Sequence, residues 1–157
     1  MKSHGKISDT QGGFSGNLSP GDRFGSGLAR LGDLDCDGTS DLAVGAFLDD
    51  TAGDNDAGSV WVLLLNPDAT VKSELRISQD AGGFGGALDP SDLFGVGVAP
   101  LGDLDGDGRE ELLVTECSGL YVPRAGTVDV VSTSPGESAS TMTQWTRSGS
   151  RFASIER

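Results

Sequence analysis

Leu31-Gly32-Asp33-Leu34-Asp35-Cys36-Asp37-Gly38 returns seventy residues later as Leu101-Gly102-Asp103-Leu104-Asp105-Gly106-Asp107-Gly108, and this duplication decides how the chain is read. Laying residues 2–45 over 72–115 needs no gap and gives 24 identities in 44 positions. Gly12-Gly13-Phe14 matches Gly82-Gly83-Phe84, and Pro20, Asp22, Phe24, Gly25 and Gly27 match Pro90, Asp92, Phe94, Gly95 and Gly97. Beyond this stretch the register slips by two residues, and Ala57-Gly58-Ser59-Val60 aligns with Ala125-Gly126-Thr127-Val128. The two missing residues fall in a loop, where length changes are tolerated. A self-similar period of this size is the signature of a repeat architecture.

The ends extend the pattern. Met1 aligns with Val71, inside a repeat, and Gly149-Ser150-Arg151-Phe152-Ala153-Ser154 resembles Gly21-Asp22-Arg23-Phe24-Gly25-Ser26. The chain is therefore expected to be cut mid-repeat at both ends and to be a piece of a longer array. Residues 1–75 form the first unit, 76–146 the second, and 147–157 the start of a third. On length alone, 157 residues would suit one ordinary domain, and the repeat overrides that reading.

Composition excludes several functions. The chain has 24 acidic against 11 basic residues and a net charge of −13, which argues against nucleic acid and anionic membranes and favours cations. Its longest apolar run, Val60 to Leu65, is far too short to insert in a membrane. Twenty-five glycines, more than twice the usual share, make long helices unfavourable and fit tight hairpins.

Each repeat offers four short strands. In the first they are Phe24 to Leu31, Asp41 to Ala46, Ser59 to Leu65, and Thr70 to Ser78. Leu42 and Val44 share one face at period two; Val60, Val62 and Leu64 oppose Trp61 and Leu63. Gly25 and Gly27 point to a tightly packed inner strand, and the charged fourth strand suits an exposed edge. The second repeat gives Phe94–Leu101, Glu111–Thr115, Thr127–Val131 and a weak fourth strand near Ser138–Trp145. The expected fold is all-β: two four-stranded antiparallel propeller blades, an incomplete propeller.

The acidic loops carry the strongest chemical signal. Asp33, Asp35 and Asp37, with Gly38 at the sixth position, are repeated as Asp103, Asp105, Asp107 and Gly108. Carboxylates at alternate positions followed by a sharp bend suit a loop wrapping a hard cation. The seventh position supplies a backbone carbonyl, here of Thr39 and Arg109, and the ninth a carboxylate from Asp41 and Glu111. Oxygen ligands at this density favour Ca2+, one ion in each of two sites. An EF-hand would require a Glu at the twelfth position and a helix after it, whereas Val44 and Val114 stand there within strand-like runs. Such sites are expected to be structural and weak, on the order of 10⁻⁴–10⁻³ M. Asp49-Asp50 and Asp54-Asn55-Asp56, which have no acidic counterpart in the second repeat, are expected to form a solvated loop.

Catalytic signals are weak. His4 is the sole histidine, no G-x-S-x-G surrounds any serine, and the clearest carboxylates are committed to the loops. Cys36 and Cys117 form no zinc-like spacing, and both thiols are expected to be free. Gly82-Gly83-Phe84-Gly85-Gly86 lacks the Lys-Ser/Thr of a phosphate loop and reads as a turn between blades. Trp61 and Trp145 read as packing residues. No apolar targeting segment follows Met1 to Asp9, so the chain as written carries no signal peptide.

Phe24-Gly25, the Asp33–Asp41 loop and Gly45-Ala46-Phe47 together resemble an FG-GAP repeat, as found in the beta-propellers of integrin alpha subunits. The resemblance covers nearly the whole chain, and its uninterrupted Asp-rich copies look more like those of large bacterial surface proteins than like those of vertebrate integrins. It implies that the calcium loop joins the first and second strands of a blade, with the ligands named above. It also implies that Cys36 and Cys117 lie toward opposite rims, too far apart to pair. Thr115-Glu116-Cys117 departs from the Gly-Ala-Pro expected there, and Phe47 replaces the usual Pro. Family members are mostly secreted or surface proteins that bind proteins or carbohydrates, which implies a non-enzymatic adhesion module at the cell surface. The partners implied are an unidentified protein or carbohydrate ligand, and further repeats or a second copy to complete the propeller. The alternative is a non-catalytic propeller within a larger secreted hydrolase, either glycosidase-type or like glycosylphosphatidylinositol phospholipase D.

Overall fold

The structure is a computed structural model that describes residues 4–51, 53, 55–84, 87–103, 110–117 and 128–131. Strand β1 (Leu28–Arg30), β2 (Leu42–Ala46), β3 (Ser59–Leu65) and β4 (Val71–Ile77) form one antiparallel sheet in the order β1-β2-β3-β4. Strands β5 (Gly97–Gly102), β6 (Glu111–Thr115) and β7 (Val128–Val131) form a second, in the order β5-β6-β7. No helix and no closed ring occur among the described residues. The protein is all-β, built of consecutive antiparallel blades as the repeat predicts. The weak strand expected near Ser138–Trp145 lies outside the described residues.

The first strand of each repeat is shorter than its sequence predicts, for the same reason twice. Arg23 and Gly25 take φ values of 59° and 92°, and Leu93 and Gly95 take 56° and 90°. A residue in the left-handed region cannot continue a pleated strand, so β1 and β5 begin only after these turns. Before them lie two equivalent lead-in segments, residues 7–25 and 77–95. In each, an aspartate carboxylate accepts the N–H three residues earlier at 2.6 Å, Asp22 from Ser19 and Asp92 from Asp89. In each, two phenylalanines meet at a tilt, Phe14–Phe24 at 5.1 Å and Phe84–Phe94 at 4.9 Å between ring centroids.

The centre of the fold is β3, which is apolar on both sides. Val60 and Val62 enter one cluster with Ala29, Leu31, Ala43 and Ile77, joined by Phe94, Leu112 and Val114 from the second repeat. Trp61, Leu63 and Leu65 enter the other with Phe14, Val44, Ala46 and Val71. A strand covered on both faces loses polar alternation, which is why Val60 to Leu65 reads as a continuous apolar run. Each such side chain withdrawn from water stabilises the fold by about 1.5–3 kcal/mol. Strand β4 is the exposed edge of its sheet, as its charges predict, and Leu75 stands half in solvent on it.

The blades meet through backbone. Ser91, Leu93 and Phe94 donate their N–H groups to the carbonyls of Asn55, Asp56 and Ala57 at 3.0, 3.2 and 2.9 Å. Gly45 permits the approach from the other side, since a Cβ there would run into the Gly95 carbonyl oxygen. The glycine excess therefore serves close passage between blades as well as hairpin turns.

Candidate metal centre

The connection between β1 and β2 is pinched at its neck. The Leu31 N–H donates to the Asp41 carbonyl at 2.9 Å and the Asp41 N–H to that of Gly32 at 3.0 Å. Inside the neck the loop organises itself on its own aspartates. The two Asp33 oxygens accept the Asp37 and Gly38 N–H groups at 2.9 and 2.7 Å, and Asp37 accepts that of Thr39 at 2.8 Å. Cys36 and Gly38, with φ values of 60° and 88°, make the reversals that wind the chain around these side chains. The result is three carboxylates, Asp33, Asp35 and Asp37, each with an oxygen within 4.8 Å of the others.

Asp41, expected as the fourth carboxylate, sits fully buried at the base. Its two oxygens accept the N–H groups of Leu34 at 2.8 Å and Leu65 at 3.0 Å, tying the loop to the end of β3. Burial pushes its carboxyl above the usual range; those two N–H groups oppose the shift, and Asp35 and Asp37 add to it. A carboxylate offers about four lone-pair sites, so two N–H bonds leave Asp41 able to take a further cationic partner. Thr39 is half-buried beside the cluster.

One cation already lies against the cluster. The Lys72 ammonium, on β4, stands 2.5 Å from Asp35 Oδ2 and 2.5 Å from Asp37 Oδ2. The Lys72 hydrogen bond and then the Thr39 N–H hold the Asp37 carboxyl below its usual range, and the two aspartates raise the lysine in turn. Asp35 Oδ1 is buried and has no hydrogen-bond partner. A carboxylate oxygen withdrawn from water with nothing to accept from is costly unless a cation meets it. The oxygen-only donor set and this orphaned atom fit Ca2+.

In the second repeat Asp103 is exposed at the loop's start, and Glu111, in the position of Asp41, is fully buried at the start of β6. Asp105, Asp107 and Arg109 lie outside the described residues. The second acidic run departs from expectation. Asp49 is buried, not solvated: its Oδ2 accepts from the Ser59 hydroxyl at 2.5 Å and the Arg76 guanidinium at 3.1 Å. Its exposed neighbour Asp50 accepts the Asp56 N–H at 3.0 Å, while Asp54 lies outside the described residues. Arg76 also rests 6.0 Å from the centre of the Trp61 ring, and Trp61 packs edge-on against Phe14 at 5.0 Å, a core role as expected. Cys36 and Cys117 are free and exposed.

Sequence reasoning missed Lys72 and Arg76 as partners of these aspartates, because the fold brings them from β4 across tens of residues. For Lys72 the repeat held one hint, the match of Lys2-Ser3 to Lys72-Ser73.

Successive antiparallel blades, a 70-residue period and an acidic loop between the first two strands are arranged as the resemblance to FG-GAP repeats of the integrin alpha type implies. The chain is similar to three integrin alpha subunits. It is 37% identical to integrin alpha-5 of Xenopus laevis over 92 residues, 59% of this chain and 8% of that protein. It is 36% identical to integrin alpha-PS5 of Drosophila melanogaster over 102 residues, 62% of this chain and 9% of that protein. To integrin alpha pat-2 of Caenorhabditis briggsae it is 38% identical over 93 residues, 59% of this chain and 7% of that protein. The chain thus spans less than a tenth of the length of these relatives. No family model matches it.

Proposed function

We propose that the chain is a calcium-stabilised propeller segment acting, without catalysis of its own, in an extracellular or cell-surface binding and adhesion module. The observation that carries the calcium reading is the convergence of Asp33, Asp35 and Asp37, a cluster in which one Asp35 oxygen is buried and unpartnered. Ca2+ would be held by these three carboxylates, the Thr39 carbonyl and Asp41, with Asp103, Asp105, Asp107, Arg109 and Glu111 as the second set. Similarity to integrin alpha subunits supports the adhesion role and the surface location. Further blades of a parent chain or a second copy would cover its open faces, and its ligand would be a protein or a carbohydrate.

The unfolded chain lacks the arranged ligands, so calcium favours the folded hairpin by mass action. Titration with CaCl2 in a calorimeter should give saturable binding, weakest in Asp33→Asn and Asp37→Asn, with a dissociation constant on the order of 10⁻⁴–10⁻³ M. Heat-free titration and an unchanged melting temperature at millimolar calcium would sink the reading.

A further inference from the structure

We propose that Lys72 is a tethered counter-cation of the Asp33–Asp41 loop: it holds the metal-free loop against β4 and competes with a divalent cation for Asp35 and Asp37. The inference rests on the calcium reading above and deepens it, by naming the residue that sets how tightly the site binds.

Three observations place Lys72 in this role. First, its ammonium bridges two carboxylates of the cluster at once, 2.5 Å from each. Second, its position in the sheet is irregular. Leu64 pairs with Ser73 and Leu65 with Val71, so Lys72 is the extra residue of a bulge on β4. A bulge re-aims a side chain that regular pleating would send elsewhere. Third, the bulge lies where β3 ends, and there the Leu65 N–H is bound by Asp41 at the base of the same loop. The lysine and the loop are thus fixed to one frame from two sides.

The competition follows from distances. Calcium needs carboxylate oxygens at about 2.3–2.6 Å. An ammonium 2.5 Å from Asp35 Oδ2 and Asp37 Oδ2 already occupies the space in front of those oxygens. Two positive charges drawn to the same oxygens at contact distance repel each other, so calcium entry favours the ammonium swinging out. The lysine offsets part of the loop's negative charge when calcium is scarce, and its displacement subtracts from the free energy of binding.

The test uses the full chain and CaCl2 as the only probe. Lys72→Met removes the charge and keeps the stem, Lys72→Arg keeps the charge, and Lys6→Met makes the same change in net charge at an exposed lysine outside the loop. Relative to wild type, Lys72→Met should bind calcium about three- to tenfold more tightly. It should also melt at a lower temperature in EDTA, so that calcium raises its melting temperature by more. Lys72→Arg and Lys6→Met should stay close to wild type. Acetylation of the unmutated chain gives a second readout that no folding defect can blur: calcium should speed modification of Lys72 several-fold and leave Lys6 unchanged. Calcium binding by wild type with an unaltered constant in Lys72→Met, or no change in Lys72 acetylation, overturns the role of Lys72 and leaves the calcium site standing. Absence of binding in wild type and Lys72→Met alike overturns both.

Discussion

The two lead-in segments, residues 7–25 and 77–95, share their backbone turns, their aspartate–amide bonds and their tilted phenylalanine pairs, yet they bury opposite members of those pairs. In the first copy Phe14 is buried and Phe24 half-exposed; in the second Phe94 is wholly buried and Phe84 half-exposed. The turn is set locally, with Asp22, Phe24 and Gly25 returning unchanged as Asp92, Phe94 and Gly95. Burial is set by the neighbour. Phe94 lies between two blades, with its N–H on Ala57, whereas nothing among the described residues stands in the equivalent place before Phe24. Leu28 and Val98 tell the same story: Val98 packs against the shared core, and Leu28, its counterpart, is 63% exposed.

That contrast can be broken by mutation. Phe94→Ala should cost about 3–5 kcal/mol in urea denaturation, and Phe24→Ala less than half as much. Equal costs would mean that the blade interface contributes nothing beyond the local turn. Gly45→Ala, which sets a methyl group against the Gly95 carbonyl, should cost about 1–3 kcal/mol. The same substitution at Gly5, whose surroundings are open, should be neutral. The smallest expected effect is electrostatic and concerns Asp49, which lies near Asp22 of the first lead-in and in the loop that seats the second. Burial raises its carboxyl above the ordinary 3.8, while Ser59 and Arg76 oppose the shift. The folded state therefore binds this proton more tightly than the unfolded state. Its contribution is full below pH 3.8 and is lost as pH rises through the raised value. Denaturation curves across that window should slope downward for wild type, relative to a flatter Asp49→Asn.

Most of the fold was legible because the chain states it twice. Strand β2 was readable from period-two apolar positions, β3 from its unbroken apolar run, and β6 from its match to β2. The truncated starts of β1 and β5 were not, because Gly25 and Gly95, expected inside those strands, adopt left-handed backbone where tight strand packing was read from them. At the candidate site, Asp33, Asp35 and Asp37 followed from spacing alone, and the structure brings them together. The burial of Asp49 was invisible, since its partners Ser59 and Arg76 arrive by strand pairing. A run of acidic residues in sequence looks the same whether one member is interred or all are wet.

The main-chain stitches between blades bear on how the molecule is made. Ser91, Leu93 and Phe94 bond residues only 36 or 37 positions back, so docking a new blade closes a short loop. A nascent chain can therefore lay down each blade on the finished face of the one before it, without waiting for distant segments. Because the joint is written in peptide groups, it tolerates exchange of side chains around it wherever Phe94 and the glycines of the close passage are kept. Copies of the repeat are thus free to drift apart in sequence while still being threaded in order.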